Sequence, residues 1–286
     1  MPAHLDQFTY GSLTPVLAYL FSFLGCLLGL KATERSRTAT SAGQRARWLT
    51  LAAWAIGGTG IWVMHFVAMI GFDVDGTDVR YNLPITLASW LTAVIVVGIG
   101  LFIVGFGKPS IIKVIGAGIL TGSGVAAMHY SGMDAMRMNG VTTYKAPLVD
   151  ASIAIAIVAS IVALWFTVVI KRTIAVIIAA AIMAVAVTAM HYTGMAAMRV
   201  HLTTVAKPVT GTTPLTLLVP IFGFVLTVVV ALGYGMLNSP SGRDIEHLDE
   251  LASRISRPGL RPADRAPQSS GFGQSSGFRV PRDSDF

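Results

Sequence analysis

Apolar residues run along this chain in seven long stretches, divided by short polar segments, as far as Asn238. At 1.5 Å per residue, about 20 apolar residues in helix cross the roughly 30 Å of bilayer hydrocarbon. The pattern therefore predicts seven membrane helices, near residues 10–30, 48–70, 82–106, 111–133, 148–170, 173–195 and 214–237. No Lys or Arg precedes Lys31 and no small-x-small site follows the first apolar core, so that segment reads as a retained helix and not as a cleaved signal peptide. The expected fold class is all-α, a polytopic membrane domain over residues 10–237. A tail over 238–286 follows, where Ile245, Leu248, Leu251 and Ile255 trace an apolar stripe that predicts a short juxtamembrane helix near 243–256. Beyond Arg257 the tail is rich in Pro, Gly, Ser and Arg and is expected to be disordered.

Composition agrees with a bilayer. Hydrophobic residues make up 53% and charged residues 12% of the chain, and the mean hydropathy is +0.67, more apolar surface than a soluble domain of this length can bury. The net charge of +7 does not point to nucleic acid, because the basic residues cluster in short loops and in the tail, where they set topology and meet anionic lipid. Lys31, Arg35, Arg37, Arg45 and Arg47 lie between helices one and two, Lys108 and Lys113 between three and four, Lys171 and Arg172 between five and six. Loops on the other side hold Arg80, Arg137, Lys145, Arg199 and Lys207 with Asp73, Asp75, Asp78, Asp134 and Asp150 beside them. The positive-inside rule then places the N-terminus outside and the tail inside, on the cytoplasmic face. The single cysteine, Cys26, excludes a disulfide framework and a CxxC motif.

One short phrase recurs against this apolar background. Met128 to Met138 reads MHYSGMDAMRM, Met190 to Val200 reads MHYTGMAAMRV, and Met64 to Met69 reads MHFVAM. His129 stands 64 positions after His65, and His191 stands 62 after His129. That period spans two membrane helices, so the copies run in the same direction and form a parallel repeat, with the three histidines at one level near the outer surface. Seven and five positions before the histidines stand Gly58 and Gly60, Gly122 and Gly124, and Ala184 and Ala186. Small residues let membrane helices approach closely. Two arrangements stay open: the motif helices pack on one another and bring the histidines to a common site, or each small pair faces a different, non-motif helix.

Residues i, i+4 and i+7 share a helix face, so His129, Met133 and Met136 form one stripe, His191, Met195 and Met198 another, and helix two offers His65 and Met69. Nine of the twelve methionines lie in the three windows. Imidazole suits late transition metals and thioether sulfur favours Cu(I). No Glu or Cys joins the motifs and Asp134 occurs in one copy only, which argues against calcium, magnesium and structural zinc. Methionine also fills apolar space, and a membrane histidine can serve only to bond a neighbouring helix. Three aligned copies, and the cost of ionisable groups in a membrane, weigh toward ligand binding, with copper the first metal to name. Tyr130 and Tyr192 sit some 100° round the helix from their histidines and are expected to face elsewhere as interfacial aromatics; Arg137 and Arg199 are expected to snorkel to headgroups. Pro220 is positioned to kink helix seven.

With its triple MH[YF]x[GA]M pattern at a two-helix period, the chain resembles the MHYT family of bacterial integral-membrane sensor domains over residues 10–237. The first copy departs from the pattern with Phe66 for tyrosine and Ala68 for glycine. The resemblance implies a metal, copper above all, held near the outer face by motif methionines and histidines, and perception of a diatomic gas such as oxygen, carbon monoxide or nitric oxide. Carried over, the ligand candidates are Met64, His65 and Met69, then Met128, His129 and Met133, then Met190, His191 and Met195. Met136 and Met198 come from helical spacing alone. Family members often continue into a cytoplasmic diguanylate cyclase, phosphodiesterase, histidine kinase or DNA-binding domain, for which the residues after Asn238 leave no room.

Three functions compete on these observations. The first is a sensor that signals to a separate cytoplasmic or membrane partner. The second is a copper transporter or delivery protein, which would need polar groups through the membrane depth where helices two, four and six offer small and aliphatic residues. The third is a haem or electron-transfer protein using paired histidines. An enzyme is not expected: the membrane part has no nucleophile-base set, phosphate-binding glycine loop or carboxylate cluster.

Overall fold

The computed structural model describes residues 3–108, 110–203 and 208–237. It has seven helices long and apolar enough to cross a membrane: α1 (Leu13–Arg37), α2 (Ala42–Ile70), α3 (Leu83–Gly105), α4 (Ile111–Asp134), α5 (Ala146–Val169), α6 (Thr173–Ala197) and α7 (Pro214–Leu237). Each stretch read from the apolar pattern is a helix, and the two-helix repeat is preserved. The expected juxtamembrane helix near 243–256 and the disordered tail lie outside the described residues.

The largest shift in boundaries is at the basic turn between α1 and α2. Helix runs through Lys31, Glu34 and Arg35 to Arg37 and restarts at Ala42, because Lys, Arg, Glu and Ala are good helix formers outside the hydrocarbon as well as inside it. Ser41 caps the restart by accepting the Gln44 N–H at 3.1 Å. Arg37 reaches across to donate its guanidinium to the carbonyls of Thr167 and Ile170 at the end of α5, where the last carbonyls of a helix lack internal partners. The start of α3 is capped in the same way as α2, by Asn82 on the Ile85 N–H.

From α1 to α6 successive helices pack side by side, and α1 also packs on α6. The six helices α1–α6 therefore close into a ring in which motif helices (α2, α4, α6) alternate with the others. Helix α7 stays outside the ring and lies over α2. Its Phe224 stacks on Trp54 and meets Trp90 edge-on, and its Phe222 meets Phe21 of α1. Large aliphatic side chains such as Ile112, Ile174, Val219 and Leu226 cover the outward faces, as a lipid-facing surface requires.

The small pairs face the non-motif helices, the second of the two arrangements left open. A Cβ on Gly60 would press on the backbone of Cys26 in α1, and one on Gly122 would overlap the backbone of Ala156 and Ile157 in α5. Helix α2 is the most enclosed, with 89% of an apolar 18-residue stretch of it buried. Between Trp54 and Val63 it widens into a π-helix directly before Met64 and His65.

At the motif end of the ring the helices are joined by short antiparallel ribbons that the apolar pattern does not show. Strand β1 (Leu5–Asp6) pairs with β2 (Asp73–Val74), β3 (Arg80–Tyr81) with β4 (Met136–Arg137), and β5 (Gly140–Tyr144) with β6 (Met198–Leu202). Each ribbon joins the strand before a non-motif helix to the strand after the next motif helix. The structural repeat is thus strand, helix, motif helix, strand, three times over.

Candidate metal centre

His65 on α2, His129 on α4 and His191 on α6 converge on the axis of the ring. Nδ1 of His65 lies 3.0 Å from Nδ1 of His191 and 3.2 Å from Nδ1 of His129, and the rings stand nearly perpendicular to one another. All three are at most 1% exposed. Among the described residues this is the one group of three or more His, Cys, Asp or Glu side chains placed to share a metal ion, with its nitrogens within 4.8 Å of each other. The first of the open arrangements is therefore also right in its consequence: the histidines meet, although the small pairs serve other contacts.

Motif glycines hold the rings in place. Nε2 of His65 packs on Gly132 and Nε2 of His129 on Gly194, so closely that a Cβ at either glycine would overlap the nitrogen. Each glycine stands three residues after a histidine, and it receives the ring of the preceding repeat. The equivalent position of the first repeat carries Ala68. Both Nε2 atoms are buried without a hydrogen-bond partner, so the rings are fixed by packing on that side and present Nδ1 to the centre.

The aromatic residues after the histidines turn toward other elements, Tyr130 to Ser152 and Tyr144, and Tyr192 to Phe8, yet each still touches the histidine before it. Phe66, Tyr130 and Tyr192 each stand edge-on to the histidine before them, with ring centroids 4.9 or 5.0 Å apart. A wide aromatic ring reaches back over its neighbour even at 100° of helical offset. The Tyr130 hydroxyl shares a hydrogen bond with Ser152 of α5 at 2.7 Å. Tyr81 of β3 donates to the Met69 carbonyl at 3.3 Å and covers Phe66; its phenol lies outside the helices, and burial pushes its pKa above the ordinary range. These aromatics, together with Gly132 and Gly194, are the positioning residues that reading by helical stripe missed. The glycine repeated at a fixed offset after His129 and His191 was the available signal.

The methionines are all buried: Met64, Met69, Met128, Met133, Met190 and Met195 on the motif helices, Met136 and Met198 just beyond them. For the last two the helical stripe fails. Helix α4 ends at Asp134 and α6 at Ala197, so Met136 lies in β4 opposite Tyr81 and Met198 in β6 opposite Tyr144. Ribbon pairing takes over from helical spacing before either position is reached.

The donors fit a small, soft, low-charge ion. Three nitrogens around a three-coordinate ion at about 2.0 Å would stand about 3.5 Å apart; the two His65 contacts, 3.0 and 3.2 Å, come within about half an ångström of that, and all three nitrogens lie within 4.8 Å of one another. Without an ion the trio is poorly satisfied. Neutral imidazole has one N–H and one acceptor nitrogen, so His65 or His129, on turning a proton toward the centre, leaves its Nε2 an unpaired acceptor. If it does not, it leaves a buried Nε2 donor, at about 1–3 kcal/mol.

The family model described as a bacterial signalling protein N-terminal repeat, MHYT, matches residues 58–117, 122–180 and 185–241. Its unit begins in a motif helix and runs into the next helix pair, half a repeat out of phase with the ribbon-closed unit of the fold. The chain is 34% identical over 201 residues, 68% of its length, to the cyclic di-GMP phosphodiesterase NbdA of Pseudomonas aeruginosa. It is 38% identical over 155 residues, 52% of its length, to the bifunctional diguanylate cyclase/cyclic di-GMP phosphodiesterase MucR of the same organism, and 28% identical over 193 residues, 65% of its length, to the signalling protein YkoW of Bacillus subtilis. The matched segments span 25%, 22% and 24% of those relatives, so the chain covers about a quarter of each. No solved structure matches it significantly. Three family repeats across most of a seven-helix membrane bundle, each delivering one histidine to a single buried trio, lead to one conclusion: this chain belongs to the MHYT family of bacterial membrane signalling domains.

Proposed function

We propose that this chain is a membrane sensor in which His65, His129 and His191 hold one copper ion, and that through it the protein perceives a diatomic gas (oxygen, carbon monoxide or nitric oxide) or redox state and reports to a separate signalling partner. The observation that carries the reading is the convergence of three buried Nδ1 atoms from three repeats. Copper is preferred as Cu(I). The cost of burying an ion rises with the square of its charge, and three neutral imidazoles with no carboxylate among them offset a single charge far more readily than a double one. Imidazole with thioether near it is also the donor chemistry that suits Cu(I). When bound, Cu(I) supplies an electron-rich centre able to take a diatomic ligand.

The chain's own part is to hold the three nitrogens, exclude water and couple them to the helices. Packing on Gly132 and Gly194 fixes two rings, and the aromatics after the histidines brace all three. A change in coordination that moves one imidazole by a few tenths of an ångström is then transmitted to α2, α4 or α6, since close-packed interiors pass displacement on. With the basic turns on the cytoplasmic side, the trio lies near the outer face and the moving helix ends reach the cytoplasm. The names of the relatives make cyclic di-GMP turnover the first output to assay.

Two competing readings lose support. An ion transporter needs polar groups along the membrane depth, whereas the axis below the trio is lined by residues such as Ile56, Val97, Leu101 and Ala163. A haem held between two of the histidines would need a porphyrin between nitrogens only 3.0 Å apart. The test is metal content of the detergent-purified protein beside a variant with His65, His129 and His191 all changed to alanine. Stoichiometric copper that disappears in the variant is expected. Protein that stays metal-free after anaerobic Cu(I) loading, or copper retained by the variant, sinks the reading.

A further inference from the structure

The ring of six helices is hollow directly beneath the histidines. Ile61, Val125 and Val187 stand four residues before His65, His129 and His191, one helical turn further into the bundle, and all three line a cavity of about 50 Å³ on the axis. Below them Ile56, Thr121 and Met183 continue the wall, and Ala156, Ala159 and Ala163 of α5 leave the space open by their small size. The exposed lining is almost wholly apolar: Thr121 turns its hydroxyl to the Val96 carbonyl at 3.3 Å and Thr167 to the Leu164 carbonyl at 2.7 Å, which leaves Ser160 and the Cys26 thiol as the other polar members of the wall. A water needs about 10–15 Å³ and two or more polar partners to stay in a cavity. This cavity has the room for a few atoms and few free polar partners, so it favours an apolar guest over water.

The cavity is also close to the lipid. On the outside of the ring a second apolar groove runs between α5 and α6, bordered by lipid-facing Val158 and Ile182. Cavity and groove share three lining residues, Ala159, Met183 and Ala186. Two of them are alanines, and the third is a methionine, whose unbranched side chain has three rotatable bonds and repacks readily.

We propose that this axial cavity is a binding chamber for one small, uncharged, apolar molecule of diatomic size, and that its occupant comes in from the bilayer between α5 and α6, past Met183, and not from the aqueous face. The aqueous side is closed by the histidine layer, the aromatic rings around it and the ribbons. The lipid is where an apolar gas concentrates, because apolar solutes leave water for an apolar phase. The chamber holds such a guest one helical turn beneath the histidine trio, behind the layer of Ile61, Val125 and Val187. Its role as the receptor's waiting room rests on the sensor reading above; its affinity for an apolar guest does not.

Xenon, an inert apolar probe, separates the two. In metal-free protein labelled at the methionine methyls and held in lipid nanodiscs, xenon is expected to shift the Met183 and Met190 signals saturably and to leave Met138, beyond the histidine layer, in place. Ala159→Phe fills the chamber and is expected to abolish those shifts. Val158→Trp covers the groove without entering the chamber, and is expected to slow xenon exchange, followed by saturation transfer, while the saturated shifts stay the same. Wild-type methyls that ignore xenon overturn the chamber, whatever the variants do. Unchanged exchange in Val158→Trp, a substitution on the lipid face that leaves the core intact, overturns the lateral route. Infrared detection of carbon monoxide on the copper(I)-loaded protein is the separate arm: xenon bound with no carbon monoxide signal leaves the chamber standing and refutes carbon monoxide as the gas that is sensed.

Discussion

Gly194→Ala puts the smallest possible side chain against the site. The new Cβ would overlap Nε2 of His129 and crowd its ring carbons, so the imidazole has to retreat by about 1 Å to regain van der Waals contact. The histidine is fully buried, and the far side of the ring faces the other two imidazoles and Tyr130, so the space it needs is already filled. Overpacking of this kind costs about 1–3 kcal/mol. The effect on a metal should be larger in proportion, because ligand distances in metal sites are held to about 0.2 Å and a change in the residues that orient a ligand typically costs about 10–100-fold in affinity. Gly132→Ala should do the same through His65, whose Nδ1 faces both partners. The control is Gly116→Ala, also on α4, where an added Cβ meets nothing within 4 Å and stability should hold or rise by up to about 1 kcal/mol. The assay is anaerobic competition for Cu(I) against a chromophoric chelator, with helicity and thermal melting followed by circular dichroism. Wild-type copper affinity in folded Gly132→Ala and Gly194→Ala would refute the placement of the imidazoles and, with it, the metal centre.

Other consequences follow from single contacts. Arg37→Ala removes a guanidinium donated to the Thr167 and Ile170 carbonyls, and should lower stability by about 1.5–3 kcal/mol, the usual worth of hydrogen bonds to a charged group, read from the melting temperature. Tyr130→Phe deletes the hydrogen bond to Ser152 and should cost about 1 kcal/mol while leaving copper stoichiometry intact; loss of the metal in that variant would make the hydroxyl a ligand. Tyr144, in the ribbon layer outside the membrane helices, has its phenol pushed up to about 12 by burial, with Asp134 and Tyr130 adding to the shift. An ordinary phenol titrates near pH 10, so the folded protein favours the neutral form: the contribution to stability is complete below about pH 10 and is lost as pH rises toward 12. Melting temperatures taken across that window should fall more steeply in wild type than in Tyr144→Phe, and parallel curves would contradict this.

Much of the architecture was readable because a membrane imposes a simple demand: a segment that crosses it must be long, apolar and helical, since its backbone has no other partner there. Seven helices, their order and the common level of the three histidines came directly from that rule and from a period of two helices. Packing was another matter. In a soluble helix a polar face marks the outside, but here the lipid-facing and core-facing sides of α4 and α6 are both apolar, so nothing along the chain said whether Gly60 or Gly122 faced a motif helix or its neighbour. The ribbons escaped notice because strands as short as β1, β3 and β4 have no room to show an alternation. Their presence is also why Met136 and Met198 left the helical stripe.

What the linear chain determined by itself was therefore the set of elements and the residues of the candidate site: which segments enter the bilayer, and that each of three repeats carries a histidine to the same depth. Only the closing of six helices into a ring decided that those histidines share one point, that Nδ1 and not Nε2 faces it, that Gly132 and Gly194 each receive the ring of the preceding repeat, and that an apolar hollow lies beneath them. The reason is physical. Entry into a membrane is a property of one segment and its transfer free energy, whereas a metal centre is a property of distances between segments, and those are fixed only when side chains from different helices compete for the same space.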